Sequence, residues 1–141
     1  MFNPSREQVR QFFFDAWRKY RGGQPLEGLE TVALEIALLH SEYHHLLDDP
    51  ARFIDADYTP EHGAMNPFLH MSLHMAIEEQ LSIDQPPGIR AEFERLLASR
   101  GDRHDALHAA LGCLGEVVWN AQRERSVPDS DAYLECLRRL R

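Results

Sequence analysis

The sequence predicts an all-α fold, a single-domain bundle of five or six helices over residues 1–141. Apolar residues recur at helical spacing along most of the chain, and no segment alternates apolar with polar residues as a strand would. The breaks between the periodic segments carry Pro, Gly or helix-capping residues. A hydrophobic content of 43% and a charged content of 27% over 141 residues suit one ordinary globular domain with a real core.

The first helix carries Val9, Phe12, Phe13, Ala16, Trp17 and Tyr20 at helical spacing. Ser5 and Gln8 make a capping box at its start, and Gly22-Gly23 end it. Its aromatic stripe, Phe12-Phe13-Trp17-Tyr20, is read as core. A second helix is predicted from Glu27 to Leu47, with Leu29, Val32, Ala33, Ile36, Leu39, Tyr43 and Leu47 on one stripe and Asp48-Asp49-Pro50 as its stop. Residues 50–66 hold two Pro, one Gly and little periodicity, and read as a loop with a helical turn near Arg52 to Ile54. The acidic residues Asp48, Asp49, Asp55 and Asp57 lack calcium-loop spacing and read as solvated surface or helix punctuation.

Asn66-Pro67 is an N-cap and first-turn pair for a third helix, Pro67 to about Leu81. That helix is apolar nearly all round, through Phe68, Leu69, Met71, Leu73, Met75, Ala76 and Ile77, so it is expected at the buried centre of the bundle. The rigid Asp84-Gln85-Pro86-Pro87-Gly88 segment follows. A shorter helix then carries Ile89, Phe93, Leu96 and Leu97, with Gly101 past its end. Asp102 caps a fifth helix bearing Leu107, Ala110, Leu111, Leu114, Val117 and Val118. Val127-Pro128-Asp129 breaks the pattern before a last helix with Tyr133, Leu134, Cys136, Leu137 and Leu140.

A net charge of −8 argues against nucleic acid, whose binding is dominated by Lys and Arg contacts to phosphate. The LRRLR cluster near the end suits the last turn of a helix instead. No apolar run approaches the ~20 residues that cross a bilayer, and MFNPSREQVRQFFF has no secretory-signal pattern, so a cytoplasmic location is expected. Cys113 and Cys136 lack metal spacing; a disulfide between them is possible in principle, but they are read first as two reduced, partly buried thiols.

The residues that carry chemistry are the histidines. Six of the eight fall into pairs of one spacing: His40 and His44, His70 and His74, His104 and His108. Residues i and i+4 share a helix face one turn apart, so each pair can aim two imidazoles at one point. Imidazole is the commonest protein ligand for transition metals. Helix bundles build metal sites from side chains on facing helices. Glu78 continues the line of His70 and His74. The candidate metal ligands are thus His40, His44, His70, His74, Glu78, His104 and His108. Imidazole and carboxylate suit a first-row transition metal, with zinc or iron favoured. Should such a metal be catalytic, Glu78, Glu35, Glu42 and Glu116 are the acid–base candidates, with Glu78 first. His45 and His62 are read as surface or loop residues.

The stretches MFNPSREQVRQFFFDAW, EYHHLLDD, NPFLHMSLHMAIEEQLSIDQPPGIR and YLECLRRLR resemble a family of short proteobacterial proteins, a domain of unknown function. That resemblance implies a small soluble bacterial protein and no particular activity. A second resemblance, to hemerythrin-like metal-binding bundles, rests on His44, then His74-x-x-x-Glu78, then His104-x-x-x-His108 in that family's order. The fourth element, H-x-x-x-x-D, does not follow His108, so this resemblance implies a metal site poorer in ligands.

The function expected is therefore a histidine-rich metal protein, either a metal-dependent enzyme or a metal sensor or carrier. The alternative is a non-enzymatic interaction module with packed histidines, binding a protein partner or a second copy of the chain. A pH-responsive role for clustered imidazoles is a third reading.

Overall fold

A computed structural model of the chain describes residues 5–56, 58 and 66–140, and all regular structure within them is helical. Eight α-helices are present among the described residues, more than the five or six expected. The chain divides into two compact units, residues 1–75 and 76–141. His62 and Asp57, expected on the loop surface, lie outside the described residues.

The first unit opens with α1, Arg6–Arg21. The Ser5 side chain accepts from the Gln8 backbone, and the Gln8 side chain accepts from the Ser5 N–H, closing the expected capping box. Phe13, Phe14, Ala16 and Trp17 turn inward, and each buried large side chain stabilises by about 1.5–3 kcal/mol. Tyr20, expected in that stripe, is 43% exposed. Phe14 takes its place in the core and meets Phe68 edge-on.

The expected second helix from Glu27 to Leu47 is not continuous. It divides into α2, Leu29–Leu39, a 3-10 turn over Ser41–Tyr43, and α3, His44–Leu47. The break is at His40, whose φ of −124° and ψ of 71° leave the helical region. A short α4, Pro50–Phe53, stands where a single turn was expected near Arg52. Arg10, 2% exposed, holds the chain after α4 through Nη1, which donates to the carbonyls of Phe53, Ile54 and Ala56 at 3.3, 3.0 and 2.8 Å. Its guanidinium lies 4.6 Å from the centre of the Phe68 ring.

The long helix α5, Pro67–Ile83, begins in the first unit and ends in the second. Asn66 Oδ1 accepts from the backbone N–H groups of Phe68 and Leu69, as its N-cap position requires. Phe68, Met71, His74 and Ile77 are buried, but Leu69 is 54% and Ile83 56% exposed. The helix is therefore not buried all round, because its apolar residues exceed the face its neighbours cover.

In the second unit the end of α5 is followed by α6, Ile89–Arg100, α7, Arg103–Glu124, and α8, Ser130–Arg139. The Asp102 side chain caps α7 by accepting from the Asp105 N–H. Asp129 caps α8 in the same way, accepting from Ala132. Gly101 ends α6 with φ 74°, a conformation that costs glycine little. Helix α8 packs on both α6 and α7. Cys113 and Cys136 form a disulfide between α7 and α8, which corrects the expectation of two reduced thiols. Their spacing of 23 residues carries no signal of pairing, and only the packing of α8 beside α7 brings them together.

Candidate metal centre

The break after α2 builds the site. A helix end leaves its last carbonyls without intrahelical donors. Here both histidines of the first pair supply them. His40 Nδ1 lies 2.7 Å from the Ile36 carbonyl, and His44 Nε2 lies 2.8 Å from the Ala37 carbonyl. A carbonyl only accepts, so both ring nitrogens carry hydrogens and donate. The two imidazoles cap the helix whose continuation was expected.

The consequences for the two rings differ. With Nδ1 donating, neutral His40 presents its Nε2 lone pair on the far side of the ring. His70 Nε2 sits 3.1 Å from that nitrogen and donates to it, a hydrogen bond whose place a shared ion would take. Two imidazole nitrogens bound to one tetrahedral ion at ~2.1 Å stand ~3.4 Å apart, so this separation is close to a shared coordination bite. His74 closes the triangle: ring centres are 4.9 Å apart for His40–His70, 4.7 Å for His40–His74 and 4.9 Å for His70–His74. Each of the three can offer a ring nitrogen within 4.8 Å of the other two. His40 and His74 are each 1% exposed, and both ring nitrogens of His74 are shielded from solvent. His70 is half-buried.

Tyr43 frames this cluster. Its ring stacks on His40 at 5.4 Å with 12° between planes, and lies 6.1 Å from His70. Burial raises its hydroxyl pKa above the ordinary value, and Glu42 adds to the effect. The sequence pattern places Tyr43 on the apolar stripe of a continuous helix. It reaches the imidazoles because the chain turns at His40.

His44, the second member of the first pair, is committed elsewhere. Besides its bond to Ala37 it packs on Trp17, with ring centres 4.5 Å apart. Trp17 Nε1 in turn donates to Asp48 Oδ1 at 2.7 Å, and Arg21 grips the same carboxylate. These contacts, the Trp17 bond foremost, hold the Asp48 carboxyl below its usual range.

The remaining metal-ligand candidates, Glu78, His104 and His108, belong to the second unit. The Glu78 carboxylate is held by Arg103 at 2.9 Å. His104 and His108 sit one turn apart on α7 with ring centres 4.2 Å apart, His104 half-buried and His108 exposed. Glu35, Glu42 and Glu116 are exposed. His45 is exposed too, with its ring edge-on to Phe53 at 5.7 Å.

Fold and site together define an all-helical protein with a buried cluster of imidazoles at a helix end. Residues 5–139 match the family described as a domain of unknown function, DUF1841, and the chain belongs to that family. No curated protein and no solved structure matches it. Of the residues behind the resemblance to hemerythrin-like bundles, His44 is engaged by Ala37 and Trp17, and Glu78 by Arg103.

Proposed function

We propose that this protein binds a divalent first-row transition metal, zinc or iron, through His40, His70 and His74. The observation that carries the reading is the convergence of these three rings, with His40 Nε2 and His70 Nε2 3.1 Å apart. The surrounding chemistry agrees with it. Metal-ligating histidines characteristically donate their other ring N–H to a carbonyl or carboxylate, as His40 does to Ile36. His40 is also the C-cap of α2, where the helix dipole presents its negative end and favours a cation.

Three neutral imidazoles leave coordination positions for water or a small ligand, which suits a sensor, a carrier or an enzyme. The pair His104 and His108 stays in the proposal on its helical spacing and its 4.2 Å ring separation. The variant H104A H108A reads its share in metal binding.

The test is elemental analysis of protein purified without a histidine tag, together with melting in the presence and absence of a chelator. A metal that binds only the folded chain stabilises it by mass action. Wild type should retain a first-row metal and melt lower with chelator, while H70A H74A should retain none and melt alike in both. Metal-free wild type that takes up no added zinc or iron, with melts indifferent to chelator, would overturn the reading in favour of an interaction module.

A further inference from the structure

The metal reading leaves the second unit's disulfide without a role. We propose that Cys113–Cys136 is a thiol–disulfide exchange site, attacked by a dithiol at Cys136, whose reduction releases α8 from α7.

The two sulfurs are not equivalent. Cys113 is 2% exposed on α7, among residues such as Ala110, Leu114 and Val117 that are also buried. Cys136 is half-buried on α8. An incoming thiolate therefore reaches the Cys136 side first, since exchange depends on access as well as on thiolate character. The new bond forms between the dithiol and Cys136 Sγ as the Cys113–Cys136 bond breaks. Cys113 leaves as a thiolate and takes up a proton. The second thiol of the reagent then attacks the mixed disulfide and releases Cys136. Two electrons and two protons pass from the dithiol, which leaves oxidised, to the protein, which gains two thiols.

What α8 retains after that step is modest. It spans ten residues, and isolated helices of that length are marginal in water. Its buried side chains are Tyr133, Leu134 and Leu137. Tyr133 donates to Gln80 Oε1 at 2.7 Å, and Arg95 donates to the Leu137 carbonyl at 2.7 Å. The Arg138–Glu92 pair at 3.6 Å is half-exposed and weak. The long helix α7, by contrast, buries eight residues. The covalent bond is thus the strongest single tie on a short helix that buries three side chains, and cross-links of this loop length restrict the open ensemble by roughly two orders of magnitude.

The test is hydrogen exchange on the full chain, oxidised and after incubation with dithiothreitol in native buffer, with thiols counted in parallel. The account expects two thiols to appear without denaturant, and the amides of 130–139 to exchange at least ~10-fold faster while those of α6 and the middle of α7 keep their protection. The variant C113S C136S should reproduce the reduced pattern. If that variant fails to fold, wild type reduced in place carries the same comparison. A bond that yields only in urea would overturn the proposal, as would unchanged exchange of α8 or equal acceleration across the unit. Each would mark the disulfide as a static staple.

Discussion

The corner after α2 and the hairpin of α7 and α8 solve the same problem, how to end one helix and start the next, in opposite ways. The hairpin uses local signals: Arg125 in the left-handed conformation closes α7, and the Asp129 side chain opens α8. The α2 corner has no glycine and no capping carboxylate. Its carbonyls are satisfied by His40 and His44 from further along the chain, and the chain turns at His40. The hairpin is then locked by a covalent bond, and the corner holds converging imidazoles. The difference shows two uses of a helix terminus, one that only completes the fold and one that also positions a chemical group.

Substitutions at the hairpin should cost the most stability. The variant C113S C136S should lose about 3 kcal/mol of stability, the value for a closed loop of 23 residues. Urea unfolding followed by circular dichroism measures it, and a loss under ~1 kcal/mol would show that packing alone secures α8. At the corner, H40A removes a ligand together with the α2 cap. It should weaken zinc binding by about 100-fold or more, at the upper end of losses seen even for outer-shell partners. Competition with a chromophoric chelator measures this, and H44A serves as its control. H44A removes a cap of the same kind and leaves the three ligands in place, so it should lower stability and largely spare affinity. Equal affinity losses in the two variants would mean that His40 acts only as a cap.

Most helix starts were legible in sequence because their capping devices are short-range. The spacing of Ser5 with Gln8, and the positions of Asn66 and Asp102, each announce a helix start, and all three cap as read, whereas Asp129, read only as part of a break, also caps α8. The corner was not legible because its cause is not local propensity. Nothing in EIALLHSEYHHLL breaks a helical period. The break depends on side chains turning back to bond Ile36 and Ala37, and an apolar stripe carried through His40 and His44 hides it. The spacing of His70 and His74 did translate into shared direction, since α5 is continuous there. Arg10 escaped notice for a related reason. An arginine on an aromatic helix reads as a surface residue until the carbonyls of Phe53, Ile54 and Ala56 converge on it.

Smaller effects sharpen the same contrast. Asp102→Ala removes the cap of α7 and should cost about 1 kcal/mol. Asn66→Ala should cost a similar amount in α5, and it alone of the two should also weaken zinc binding, because His70 stands in the first turns of that helix. Similar affinities for both variants would separate the site from the capping of α5.

The smallest effect concerns Asp48, beside His44 at the corner. Its carboxyl is held below the ordinary value of 3.8, chiefly by the Trp17 hydrogen bond and then by Arg21. A depressed folded value means that its contribution is present above that pH and is lost as pH falls through the lowered value. The side chain is 44% exposed, so the contribution should stay below about 1 kcal/mol after solvent screening. Urea midpoints of wild type and Asp48→Asn should differ at pH ~7 and converge in strong acid. A gap that does not narrow would remove the carboxylate's charge from the account.

X-ray absorption at the zinc edge of the loaded protein reads directly whether His40, His70 and His74 share one ion. A site shared by the three rings gives a nitrogen shell at about 2.0–2.1 Å with outer-shell scattering from at least three imidazoles, diminished in H40A and in H74A. Zinc surrounded by oxygen alone, or a spectrum unchanged by both substitutions, would contradict it.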